Sequence, residues 1–230
     1  MQTLTIKYIF TLSDNSKKVF NLQLDSQNLC LIENTPEILP PWTKLGFHQC
    51  PNCPLTTNTH LYCPMATNLV YIINRLECLI SYDEIHVEVI TKERIISQKT
   101  TAQRGISSLI GLISATCGCP HTVFFKPMAR FHLPFATEEE TIYRSTSMWL
   151  LAQYFLKKAD QTVDFEFKKL SKIYNNIQII NTAIAERLRA ATEADSAVNG
   201  VIMLDMYAQT IPFAVEKYLD EIRYLFSPFI

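Results

Sequence analysis

The stretches whose apolar residues recur at every second position all lie before about residue 100, and after it the recurrence is at every third or fourth position. That switch of period restricts the chain to folds that keep a sheet and a helical bundle in separate stretches of sequence. In TLTIKYIFTL the residues Leu4, Ile6, Tyr8 and Phe10 alternate with neighbours facing the other way, and in KVFNLQLD the residues Phe20, Leu22 and Leu24 do the same. The polar run Ser13-Asp14-Asn15-Ser16 between them predicts a β-hairpin, which the short apolar piece Leu29 to Ile32 extends. PEILPPW then breaks regular structure with three prolines. A second strand pair follows in EIHVEVI, with Ile85, Val87 and Val89 alternating, and in ERIISQK. Between the two pairs lie a cysteine-rich loop and a helix over 66–80, with Leu69, Ile72, Ile73, Leu76 and Leu79 at helical spacing.

From Thr101 onward the pattern is helical. Ile106, Leu109, Ile110 and Ile113 form one stripe of a helix ending at the CGCP corner. Thr137 and Glu140 are spaced as a capping box that opens a helix through Trp149 to Lys158. A further helix starts near Phe165 with Leu170, Tyr174, Ile177, Ile184 and Leu188 inward. The last starts near Ser196 with Leu204, Ile211, Val215, Leu219 and Ile222, and Pro212 predicts a kink in it. No repeat or linker tract interrupts the sequence. The expected fold is therefore one α+β domain over 1–230, a small antiparallel β-sheet in the β-rich stretch 1–99 packed with an α-helical bundle in 100–230.

Charge argues against several partners. The formal net charge is −1 with a pI near 6.5, and the basic residues fall in scattered doublets such as Lys17-Lys18 and Lys157-Lys158. No nucleic-acid footprint is visible. No apolar run has the length of a spanning helix, and MQTLTIKYIF lacks the features of an export signal, so a cytoplasmic protein with no membrane association is expected. Its seven cysteines are then reduced, and clustered ones call for metal or thiol chemistry rather than disulfides.

Four of those seven, Cys50, Cys53, Cys63 and Cys119, are each followed by proline, whereas Cys30, Cys78 and Cys117 are not. Proline stiffens the segment leaving the sulfur and favours a tight ligand turn. Cys50 and Cys53 form a C-x2-C pair, Cys63 follows closely, and Cys119 would tie the loop to the helical half. The expected site is a structural zinc ion on these four, with an iron–sulfur cluster on the same four as the alternative and metal-free buried thiols as the third reading. His60 competes with Cys119 as the fourth ligand. Cys30 and Cys78 read as small buried hydrophobes. Cys117 is open to a second reading as a redox partner or nucleophile with His121 as base.

Gly105, Gly111 and Gly118, with Ser107, Ser108, Ser114 and Ala115, give the helix before Cys117 a small-residue side that permits close backbone approach and places it centrally. Its spacing fits neither common phosphate-binding fingerprint. Arg130, His132 and Arg144 sit among apolar residues. An internal salt bridge is the expected use of the arginines, a carboxylate ligand the less expected one, and His132 is a weak metal-ligand candidate. No triad, H-E-x-x-H or paired-carboxylate spacing specifies an enzyme class.

Through QCPNCP, YCP, QRGISSL, GCP, MARFHLPF and LLAQYF the chain resembles, over nearly its whole length, a family of bacterial proteins described as a domain of unknown function. Cys50, Cys53, Cys63 and Cys119 match its cysteine positions. The resemblance implies one domain and supports the four-cysteine set, and it implies no activity. The functional expectation is a metal-binding, non-catalytic adaptor or regulator acting through a protein partner, and a redox protein or metalloenzyme carrying the cluster is the alternative. The width of the apolar stripes over 170–188 and 201–226 adds a homodimer through the C-terminal helices.

Overall fold

The computed structural model describes residues 2–32 and 38–229. Strands β1 (Thr3–Thr11), β2 (Lys17–Asp25), β3 (Glu84–Ile90) and β4 (Ile95–Thr101) form one antiparallel sheet in the order β2-β1-β3-β4. Alternation decides the buried face. Tyr8 stands opposite Phe20 on one side and Val89 on the other, Phe10 stands opposite Val87, and all five are buried. Leu31 adds a single bridge to Leu24 at the outer edge of β2, so the expected extension amounts to one residue pair. The proline-rich segment falls partly outside the described residues; Pro41–Thr43 forms a short 3-10 turn.

Six α-helices follow the chain: α1 (Pro64–Leu76), α2 (Ala102–Thr116), α3 (Lys126–Arg130), α4 (Glu138–Lys158), α5 (Lys168–Ala191) and α6 (Ser196–Glu221). The change from strand to helix falls between Thr101 and Ala102, where the period changes. α1 begins and ends earlier than its apolar stripe predicts, because Pro64 sits at its first position and the chain leaves the helix after Leu76. Cys78 therefore lies beyond the helix and is exposed, against the expectation of burial, while Cys30 is half-buried beside Lys126 Nζ at 3.3 Å. α5 starts at Lys168 rather than near Phe165. Phe167 has φ 57°, and the Asp164 carboxylate accepts from Glu166 N–H at 3.1 Å and Lys169 N–H at 2.7 Å. At α4 the capping box forms as its spacing predicts, with Glu140 N–H on Thr137 Oγ1 at 3.1 Å and Thr137 N–H on Glu140 Oε2 at 2.8 Å.

α2 lies in the centre, in contact with β3 and β4 on one side and α6 on the other. Close approach needs its glycine at 105, where an added Cβ would lie 3.0 Å from Val87 and 3.1 Å from Phe10. One buried cluster joins β1, β2, α1, β3, α2, α5 and α6, and a second joins α4, α5 and α6 around Tyr174 and Ile211. The wide stripes on α5 and α6 are thus covered in large part by each other and by α2, and Ile179, Ile202, Met206 and Phe213 stay exposed. Apolar surface remains elsewhere, notably at Leu150, Leu151, Tyr154 and Phe155 on α4.

Candidate functional site

The cysteine loop is closed at its neck. Lys44 and Tyr62 form an isolated bridge, Leu45 N–H donates to Leu61 O at 2.9 Å, and Cys63 N–H donates to Thr43 O at 2.8 Å. Within it Cys53 N–H donates to Cys50 O at 2.9 Å, which folds Cys50-Pro51-Asn52-Cys53 into one turn, and Gln49 Nε2 reaches Leu55 O at 2.9 Å. Cys63 is the residue that opens α1.

Cys119 arrives from the other half of the molecule. Gly118, at φ 86°, takes the left-handed conformation that ends α2 and redirects the chain. The two segments touch directly, since His121 Nε2–H donates to the Asn52 carbonyl, between Cys50 and Cys53, at 2.7 Å. Cys53, Cys63 and Cys119 all lie within electrostatic reach of Cys50, whose thiol is pushed up to about 12 by burial first and by these three neighbours next. Cys119 is likewise raised by burial and by Cys63. Among the described residues, no three His, Cys, Asp or Glu side chains are gathered in metal-ligating geometry. The four thiols are neighbours, three of them packed against the edge of the core as small hydrophobes.

His60 bonds to Thr59 Oγ1 at 2.9 Å and is exposed. Cys117 is buried, donates to Ser114 O at 3.3 Å, and is pushed up to about 12 by burial. A neutral, enclosed thiol is the opposite of an activated nucleophile.

Arg187 escaped the reading of sequence patterns altogether. It is 1% exposed, and Nη1 donates to Trp42 O at 2.7 Å and Lys44 O at 2.8 Å, while Nη2 donates to Leu45 O at 2.9 Å. Its neighbour Glu186 holds His48 Nδ1 at 2.9 Å. Two consecutive residues of α5 thereby fix the approach to the cysteine loop. Arg187 has no carboxylate partner among the described residues, and its charge acts on Cys50 to favour the thiolate.

A second polar group surrounds a partly open central cavity of about 190 Å³. Tyr8 Oη lies 2.5 Å from His132 Nε2 and 3.0 Å from Ser108 Oγ. Burial holds the Tyr8 phenol well above its ordinary value, and burial followed by the Arg144 charge holds His132 down at about 3, so both are neutral. Neither arginine meets the expected internal salt bridge among the described residues. Arg130 is exposed, 5.5 Å from the Phe131 ring, and Arg144 bonds backbone carbonyls.

Over residues 6–227 the sequence matches the family described as Domain of unknown function (DUF6901). The chain belongs to the DUF6901 family. Membership agrees with the expectation of a domain of unknown function over nearly the whole length, and it assigns no ligand to any residue of this DUF6901 chain. No curated protein and no solved structure matches it.

Proposed function

We propose that the chain is a metal-binding protein in which Cys50, Cys53, Cys63 and Cys119 share one structural zinc ion, and that it acts without catalysis as an adaptor or regulator. The observation that carries the reading is Arg187, a buried cation beside Cys50 with carbonyl oxygens alone as partners. Four thiolates on a divalent ion leave a net charge of about −2, and a fixed guanidinium next to them offsets it. Donor type fits as well. The segment carrying Cys119 and the loop carrying Cys50 and Cys53 are tied together by His121 and Asn52, which supports ligands drawn from both. When bound, zinc supplies a cross-link between the cysteine loop and the end of α2, and its binding free energy adds to folding. Asn52, Gln49 and Arg187 position the loop, and ligation is what would complete the tetrahedron. The same reading includes a homodimer through the C-terminal helices α5 and α6, where Ile179, Ile202, Met206 and Phe213 are exposed.

Metal content and melting temperature of four variants test it. Cys50→Ser and Cys119→Ser should both lose zinc and melt well below the parent, while Cys117→Ser and His60→Ala retain it. A fully metallated Cys119→Ser protein of parental stability overturns the shared site. Brown protein containing iron and acid-labile sulfide overturns zinc in favour of a cluster.

A further inference from the structure

The central cavity has no role in the cysteine reading. At about 190 Å³ it exceeds an engineered apolar cavity of about 150 Å³ that takes up benzene. α2 creates the space, because Ser107, Ser108, Gly111, Ser114 and Ala115 present short side chains where larger ones would fill it. Ile177 of α5 and Leu204 of α6 stand among the apolar residues of its lining.

Charge on this lining is one-sided. Arg104 and Arg144 contribute to it, and among the described residues no Asp, Glu or Lys does. The two arginines come from different helices, α2 and α4, yet both fasten onto segment 128–135. Arg104 Nη2 donates to Phe135 O at 3.1 Å, and Arg144 Nη2 donates to Met128 O at 2.9 Å and Phe131 O at 3.0 Å. Each guanidinium is held through Nη2, and neither Nε nor Nη1 has a protein partner among the described residues. His132, on the same segment, is neutral and faces Tyr8, so it brings no compensating or added charge. Glu140, four residues before Arg144 on α4, acts on that guanidinium but is engaged in the Thr137 cap and stands outside the lining. Two half-buried cations on a lining that carries no acidic residue among the described residues are unfavourable, and an anion placed between them offsets that.

We propose that this cavity binds a small organic carboxylate, its apolar body about the size of a substituted benzene ring lying against α2, α5 and α6 and its carboxylate held by Arg104 and Arg144. A planar carboxylate matches the fork of a guanidinium. A monoanion is favoured over a phosphate monoester because the rest of the lining is mainly apolar and a second charge adds to the desolvation cost.

Calorimetric titration of the full chain with benzoate, phenylacetate and octanoate tests this, each acid being paired with its amide and phenyl phosphate serving as the alternative anion. At least one carboxylate should bind with one site per chain, its amide at least about tenfold more weakly. Arg104→Met should lower that affinity about tenfold or more, and Leu204→Trp, which fills the space from α6, should abolish it. Arg144→Met should act like Arg104→Met; because Arg144 also holds segment 128–135 in place, Arg104→Met decides if Arg144→Met does not fold. Absence of binding by every carboxylate, equal binding of the amides, tighter binding of phenyl phosphate, or indifference to Arg104→Met each overturns the proposal. Zinc content does not enter this readout, so it stands or falls separately from the four-cysteine site.

Discussion

His132 is a residue whose surroundings permit a single charge state. Its ring meets the Tyr8 hydroxyl, Ser108 bonds that same hydroxyl, and Arg144 is the charged group that acts on it. Burial first, and the Arg144 charge second, disfavour the protonated ring, so its folded value is depressed from the ordinary 6.5 to about 3. As pH falls below 6.5 the unfolded chain takes up a proton that the folded chain refuses, so folding stability drops across the window from about 6.5 to about 3. At pH 5 the contribution amounts to up to about 2 kcal/mol relative to neutral pH. Urea denaturation at pH 7 and pH 5 should therefore show a larger acid loss for the parent than for His132→Gln, and equal losses in the two proteins would refute it. Arg187 is the contrasting residue, a permanent charge whose Nε lacks any partner among the described residues. Nothing in its local sequence distinguishes it from a surface arginine on an amphipathic helix, which is why the strongest support for the cysteine site was illegible before folding.

Helix α6 passes through Pro212 without interruption, although proline deprives the carbonyl four residues earlier of its donor. That carbonyl belongs to Ala208, and Gln178 Nε2 on α5 donates to it at 3.0 Å. A side chain on a neighbouring helix thus replaces the missing backbone bond. Gln178→Leu should lower stability by about 1 kcal/mol, and the loss should nearly vanish when Pro212→Ala restores the N–H. Denaturation of the two single variants and the double variant measures that coupling, and additive effects would show that the contact is incidental. The strand pairs, the α4 cap and the central place of α2 were legible, because alternation, capping spacing and small-residue faces are local patterns. The passage through Pro212 was not, since its compensation comes from residue 178. Strand order was not either, because alternation states which face is buried and leaves the neighbour unspecified.

At the level of the molecule, the cysteine–proline pairs pointed to a link between the cysteine loop and the end of α2, and His121 and Asn52 make a direct contact there, while among the described residues no three metal-ligating side chains are gathered. The cavity was hidden for a physical reason. A row of small residues reads the same whether a helix packs closely on it, as at Gly105, or stays clear of it, as around Ser108 and Ser114. Association is the remaining expectation at this scale. The expected surface is that of the C-terminal helices, where Met206 and Phe213 of α6 stay exposed, and a second copy covering them should give a mass near twice the monomer by light scattering at micromolar concentration, returned to the monomer value by Met206→Glu with Phe213→Glu. A strict monomer for the parent chain rules this out. The central position of β1 bears on how the chain comes into being. β2 is made directly after it and α1, which packs on β2, soon after, but the other edge of β1 has no partner until Glu84–Ile90 has been synthesised. At roughly 5–20 residues per second on the ribosome, that edge stays open to foreign strands for several seconds, so the order of translation sets the period when the nascent chain is most exposed to mispairing.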